Sequence, residues 1–159
     1  MNTRAALLAV TIAALSAGTA LAGATLATIA AGHTSLGTIL VSKSNGRTLY
    51  LFEGDTKSKL ACNGSCLKDW PPLEGAKATA VGGAKAGMIG LRPRGSAHQV
   101  TYNGHPLYYF SGDTKPGQAT GEGLKLNGNL WYAVTPSGGA KIASTKTGSS
   151  SGGGGTPAW

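Results

Sequence analysis

Few residues in this 159-residue chain have chemistry to offer. Cys62 and Cys66, in Ala-Cys-Asn-Gly-Ser-Cys-Leu, are its two cysteines. In an oxidising compartment such a pair forms a disulfide, provided the chain folds back at Asn63-Gly64 to bring the two Cα atoms close. Kept as thiolates, the same pair faces one soft ion such as copper, and a copper site would draw on Cys62, Cys66, His98 and His105. His98 and His105 flank an Asn103-Gly104 turn, so a hairpin there would set them on facing strands.

Tyr50 with Asp55, and Tyr108 with Asp113, repeat one Tyr-x-x-x-x-Asp spacing. Two carboxylates suit acid–base work or Ca²⁺. Only Glu53, Asp69, Glu74 and Glu122 remain as further acids, too few to fill an oxygen cage. Each Asp follows a Gly at the end of an apolar run, where its expected role is an Asx turn that accepts backbone N–H groups. Each Tyr lies inside such a run and is expected in the core with its hydroxyl bonded. No His-Glu-x-x-His pair or P-loop is present, and spacing assigns no Ser/His/Asp set. The chain reads as non-catalytic. No cofactor is expected, with copper as the alternative.

The elements that carry these residues come from a duplication. Asn45-Gly-Arg-Thr-Leu-Tyr-Leu-Phe-Glu-Gly-Asp-Thr-Lys57 recurs 58 residues later as Asn103-Gly-His-Pro-Leu-Tyr-Tyr-Phe-Ser-Gly-Asp-Thr-Lys115, with nine of thirteen positions identical. Ungapped identity at that level marks an internal repeat. Trp70 follows the first copy and Trp131 the second. Asn-Gly between β-rich runs signals a hairpin, because a type I′ turn needs positive φ at both central residues. Three hairpins are expected: Leu36–Ser42 with Thr48–Glu53, Gln99–Tyr102 with Pro106–Ser111, and Leu124–Leu126 with Leu130–Val134. Met88–Arg92, ended by Pro93, and Ala140–Thr145 are further strands, and a helical turn carries Cys66 to Trp70. Alternation puts Tyr50 and Phe52 on one face and Leu49 and Leu51 on the other. Strands apolar on both faces are central, so the two motif strands should lie at the heart of the domain, facing each other across a pseudo-two-fold axis. The fold class is all-β, mainly antiparallel, with two pseudo-equivalent repeats in one compact sandwich or barrel-like domain.

Compartment and boundaries follow from the ends. Arg4, an uncharged run to Ala22 and Ala20-Leu21-Ala22 fit a signal peptide over residues 1–22, cut before Gly23. The mature chain should then be secreted, extracellular or periplasmic, with no transmembrane segment. Residues 23–35 are expected to be a flexible lead-in and 36–138 the two-repeat domain (about 36–75 and 97–138). Residues 147–159 form a Gly/Ser-rich tail. Fourteen Lys and Arg against six Asp and Glu give a net charge of +8, dispersed along the chain. An exported cation suits anionic envelope polymers or lipid head groups. Specific nucleic-acid binding would need a basic stripe with stacking aromatics.

The two Tyr-x-x-x-x-Asp motifs, the Cys-x-x-x-Cys before Trp70-Pro71-Pro72-Leu73, and Tyr102-Asn103-Gly104-His105-Pro106-Leu107-Tyr108 resemble the bacterial secreted repeat of unknown function, which occurs in tandem in predicted lipoproteins. The resemblance covers roughly residues 36–138. It implies an exported protein with two repeats and assigns no activity. No cysteine follows the apolar leader to accept a lipid, which departs from the lipoprotein pattern.

Overall fold

Turn residues decide where this chain reverses. The computed structural model describes residues 25–142, so the expected signal peptide and Gly/Ser tail lie outside the described residues. Strands β1 (Leu26–Thr34) and β2 (Gly37–Ser42) pair antiparallel along six positions. Then come β3 (Tyr50–Phe52), helix α1 (Cys66–Asp69) and β4 (Lys77–Val81), which runs parallel to β1. Strands β5 (Ile89–Arg94), β6 (Ala97–Tyr102) and β7 (His105–Pro106) form an antiparallel sheet. Strands β8 (Lys125–Leu126) and β9 (Asn129–Ala133) form a hairpin whose second strand pairs with β3. The sheet orders are β2-β1-β4, β3-β9-β8 and β5-β6-β7. The result is sandwich-like and all-β, mainly antiparallel, and is not a closed barrel.

Two of the expected type I′ turns have the required geometry. Asn103 and Gly104 sit at φ +51° and +82°, and Asn127 and Gly128 at +55° and +88°. The third differs. Ser42 and Arg47 close a longer loop, through Ser42 N–H to Arg47 O and Gly46 N–H to Ser42 O. That loop is two residues longer than its counterpart. The β1/β2 and β5/β6 hairpins therefore correspond at an offset of 60, from Thr34–Gly37 against Arg94–Ala97, while the motifs correspond at 58.

The two repeats exchange their closing segments. Around repeat one, Leu40 N–H donates to Val134 O (2.7 Å), Val134 N–H to Leu49 O (3.0 Å) and Leu49 N–H to Leu40 O (3.0 Å). Around repeat two, Val100 N–H donates to Leu73 O (2.8 Å), Leu73 N–H to Leu107 O (2.9 Å) and Leu107 N–H to Val100 O (3.0 Å). Leu73 follows the first motif yet completes the second half, and Val134 does the reverse. At the centre the motif strands meet directly, since Tyr50 and Tyr108 exchange both backbone bonds at 2.9 Å.

Alternation divides the core as the pattern requires. Leu49, Leu51 and Leu107 pack with Ile29, Leu40, Leu73, Val100, Tyr102 and Val134 on one side. Tyr50, Phe52 and Tyr108 pack with Ile39, Trp70, Trp131 and the two cysteines on the other. Trp70 and Trp131, one from each repeat, stack at 3.8 Å between centroids and 2° between planes. Phe52 stacks on Trp131 and Phe110 tilts against Trp70, so the aromatic layer also repeats about the axis.

Three expectations need correction. Within the 23–35 lead-in, β1 occupies Leu26–Thr34 and buries Ile29 completely, so that stretch is a sheet strand and not a flexible segment. Its Ala-rich composition resembles the leader before it, but Ala27 and Ala30 are both buried, on opposite faces of the strand. The partner of β2 is mainly β1. Toward Thr48–Glu53 it makes a single bridge, Val41 to Thr48, because β3 pairs instead with β9. Pro93 does not end its strand, since β5 is an edge of its sheet and a missing N–H is tolerated there. Of Ala140–Thr145, Ala140 makes one bridge to Val134, and residues beyond 142 lie outside the described residues.

The exchange makes each half dependent on the other. A chain ending at residue 75 lacks Val134 and Trp131 and is expected to show no cooperative urea transition by circular dichroism, whereas the full chain shows one. In the full chain, Trp131→Ala is expected to cost about 3–5 kcal/mol. A truncated chain with its own sharp transition would mean that the halves fold independently.

Candidate functional site

The register of the Tyr50–Tyr108 contact places both phenols on the aromatic side of the core, each reaching past the axis toward the other repeat. The Tyr50 hydroxyl donates to Asp113 Oδ2 at 2.6 Å, and the Tyr108 hydroxyl donates to Asp55 Oδ2 at 2.6 Å. The motif therefore does not bond within itself: Tyr and Asp pair across the duplication. Both Asp residues are 1% exposed and both Tyr residues fully buried.

The second oxygen of each carboxylate holds the loop after its motif, at six and seven residues on, a wider closure than the expected Asx turn. Asp55 Oδ1 accepts Ala61 N–H at 2.6 Å, closing the loop that follows the first motif. Asp113 Oδ1 accepts Thr120 N–H at 2.9 Å and the Thr120 hydroxyl at 2.6 Å. Each phenol oxygen also accepts a bond. Gly121 N–H reaches Tyr50 at 3.2 Å, and Arg94 Nη2 reaches Tyr108 at 3.0 Å. A side chain at position 121 would collide with Trp70 and Tyr50, so that close approach requires glycine.

Arg94 ties the site to the disulfide. Its Nε donates to Gln99 Oε1 at 2.8 Å, and Nη1 and Nη2 donate to Cys62 O at 3.1 and 2.9 Å. Gln99 in turn donates to Leu107 O at 2.9 Å. Cys62 and Cys66 are joined, with Cα atoms 5.4 Å apart, after a turn in which Gly64 takes φ +58° and Cys66 N–H returns to Asn63 O. Both cysteines are buried under the aromatic layer.

Of the four residues considered for copper, the cysteines are thus in a disulfide, and the histidines lie apart. His98 is exposed opposite Pro93, and His105 is buried opposite Tyr102, at the other end of the β6 ladder. The hairpin does not set them face to face, because its register pairs position 105 with 102. Burial lowers the His105 pKa below the ordinary imidazole value. Among the described residues no group of three or more His, Cys, Asp and Glu is placed to hold a metal ion.

Arg94, Gln99, Thr120 and Gly121 carry this network, and sequence reading passed over them. Only the closeness of Arg92 and Arg94 hinted at one of the four. Chemically, the centre is a closed set of hydrogen bonds. Every carboxylate oxygen accepts at least one donor and both acids are 1% exposed, so the arrangement braces the two repeats.

Two surface clefts flank this centre. One, of about 410 Å³, is lined by Arg47, Pro71, Ser111, Asp113 and Thr114. The other, of about 380 Å³, includes Leu51, Glu53, Asn103, His105 and Tyr132 in its wall. Tyr132 is held above the ordinary phenol pKa by burial first and then by the charges of Glu53 and Glu122. Burial raises the Glu122 carboxyl, and its Oε2 accepts Ala133 N–H at 2.7 Å.

The phenols give the site a pH signature. Burial, then the bond to Asp113, pushes Tyr50 well above its ordinary value of 10.0. Burial, then the Asp55 charge, does the same to Tyr108, against a smaller opposing effect of Arg94. A folded pKa above the unfolded one contributes stability that is present below the unfolded value and lost as pH rises toward the folded one. The urea midpoint should thus hold to about pH 10 and fall above it. Tyr50→Phe leaves Asp113 short of one buried donor and is expected to cost about 1–3 kcal/mol at neutral pH, with a shallower alkaline decline. An unchanged midpoint in both Tyr50→Phe and Tyr108→Phe would remove the crossed pairs from any bracing role.

No solved structure and no curated protein matches the chain. Residues 31–74 and 92–135 each match the family model described as a secreted repeat of unknown function. Those two stretches cover more than half of the 159 residues, and each holds one Tyr partner of the crossed pairs and its own Asp. Built from two such repeats locked together by their motifs, the chain belongs to the family of the secreted repeat of unknown function.

Proposed function

We propose that this exported chain is a non-catalytic binding module of the cell envelope or extracellular space. Its cationic surface associates with anionic envelope polymers or lipid head groups. The observation that carries the reading is the fate of the motif carboxylates. Asp55 and Asp113, two of only six acids, are consumed inside the core, which leaves four acids to oppose the cations spread along the chain. The crossed pairs explain the repeat motif as bracing, which leaves the surface to meet the partner. No helix among the described residues is long and apolar enough to cross a membrane.

The test is co-sedimentation of the chain with an anionic glycerol-phosphate polymer and with vesicles containing phosphatidylglycerol. Association is expected at low salt and should weaken steeply as salt is raised past a Debye length of about 8 Å. No association with either partner at low salt would overturn the proposal.

The copper or thiol-redox alternative needs the Cys62–Cys66 bond to open. Chain produced by export is expected to hold no titratable thiol while folded. Cys62→Ser with Cys66→Ser should lower stability by about 2 kcal/mol, as a short ring predicts, and leave polymer association unchanged. Tight copper binding after mild reduction, lost in Cys62→Ser, would favour the alternative.

A further inference from the structure

The same register that aligns the phenols aligns the two clefts. Tyr50 opposes Tyr108 in an antiparallel contact, so three positions to one side Arg47 faces Ser111, and three to the other Glu53 faces His105. The duplication equates Arg47 with His105, Leu51 with Tyr109 and Ser111 with Glu53, while the stacked tryptophans equate Pro71 with Tyr132. The two clefts thus share three equivalent positions, 47 with 105, 111 with 53 and 71 with 132, filled by different side chains. Four of the thirteen motif positions differ between copies, and three of these four are the pairs just named from the motif. Divergence is concentrated at and beside these clefts, at positions that range from buried Leu51 and His105 to exposed Ser111.

We infer that the Arg47 cleft is a binding site for a phosphate group, the point at which the cationic module proposed above grips its polymer. This rests on that reading and deepens it. Arg47 is pinned, with Nη2 donating to Phe110 O and the guanidinium lying 4.7 Å from the Tyr109 ring centroid. It is not satisfied within the chain, because Nη1 makes no hydrogen bond and, unlike the buried and unpartnered Nε, is not sealed from solvent. A guanidinium held in place with donors to spare is prepared for an oxyanion. Ser111 and Thr114 stand exposed on the same cleft, and their hydroxyls lie outside the guanidinium's own set of donors. A tetrahedral phosphate directs its oxygens out of one plane and can meet the guanidinium and both hydroxyls at once.

Asp113 also borders the cleft and would repel an anion. Its two oxygens are already held by Tyr50 and Thr120, and it is 1% exposed, so it presents little free charge outward. The twin cleft has the opposite character. Glu53 stands where Ser111 does, and buried His105 replaces the guanidinium, so phosphate is disfavoured there.

The test is an amide-resolved NMR titration of the intact chain with sodium phosphate, at ionic strength balanced with sodium chloride. Ser111→Glu is the decisive variant. It copies the twin cleft's residue into an exposed position and does not touch the core. The Ser111 and Thr114 amides should shift saturably in the native chain. Ser111→Glu should weaken binding by about tenfold or more, and Glu53→Ser should change it by less than about twofold. Parallel arms with a glycerol-phosphate oligomer and with phosphatidylglycerol vesicles identify the source, because only the true partner should lose affinity in Ser111→Glu in step with free phosphate. If phosphate leaves Ser111 and Thr114 unmoved, or Ser111→Glu binds as the native chain does, the cleft is not the site. Polymer association that persists in that case leaves the surface-charge reading standing. Loss of all polymer and vesicle association, with phosphate still shifting Ser111, overturns that reading and keeps the cleft.

Discussion

Two backbone bonds between Tyr50 and Tyr108, each 2.9 Å, set the register on which the rest depends. They fix one antiparallel alignment of two nearly identical strands, and a pseudo-two-fold axis passes between them. With that alignment, each phenol extends toward the loop that follows the other motif, so the Tyr–Asp pairs must cross. The Leu side chains fall on the opposite face, where they meet the β1/β2 and β5/β6 hairpins. A slip by one residue would turn every phenol toward the aliphatic side and every Leu toward the tryptophans, because side chains alternate with a period of two. The carboxylates would then be buried without donors, a loss of several kcal/mol for each. The hydrogen-bonded acids therefore enforce register as much as they add stability.

The two crossed pairs are not equal, and the difference explains Arg94. Asp113 receives three bonds, from Tyr50 and twice from Thr120, whereas Asp55 receives two, from Tyr108 and Ala61. The less supported carboxylate is the one whose phenol partner is held by a guanidinium. Arg94 also gathers the carbonyl of Cys62, so the same cation anchors the disulfide loop beside the pair it supports. In the other copy a backbone amide, Gly121 N–H, takes the place of the guanidinium. Here a neutral donor suffices because the hydroxyl of Thr120 has supplied the third bond. An asymmetric sequence thus yields two fully bonded centres from one symmetric backbone.

What the sequence showed and what it hid divide along the same line. Short-range signals read well. Asn-Gly located the turns at 103–104 and 127–128, the period of two placed Tyr50 and Leu49 on opposite faces, and the spacing of Cys62 and Cys66 required the chain to fold back. Pairings between distant segments did not read. Nothing local tells Leu73 to close on Leu107 and Val100, or Val134 to close on Leu40 and Leu49. Both choices are locally alike, and they differ only in whether two separate lobes or one interlocked domain is built. The crossing of Tyr and Asp was hidden for the same reason, since Asp55 lies five positions from one Tyr and in space beside the other. Strand β1 was missed because alanine contributes little to an apolar pattern, although Ala27 and Ala30 are both buried.

A duplicated fold that must keep its axis can vary only where the axis makes no demand. Of the nine motif positions shared by both copies, the closing Thr and Lys are exposed, and the other seven supply the Asn-Gly pairs, the Leu, Tyr and Phe of the central strands and the Gly-Asp that ends them. Each of these seven serves register, core or crossed pair. At the differing positions, Thr48 bonds Gln118 O through its hydroxyl, while Pro106 stands in β7 and has no N–H to give the ladder. The remaining three pairs lie at or beside the clefts, where Leu51 and His105 are buried, Ser111 is exposed and Tyr109 lies against Arg47. Arg47 and His105 therefore occupy equivalent backbone sites with different charges, and so do Glu53 and Ser111. Symmetry in the core and asymmetry at the clefts are two results of one constraint: positions that hold the halves together are fixed twice over, and those beside them are free to take opposite chemistry on the two sides of the molecule.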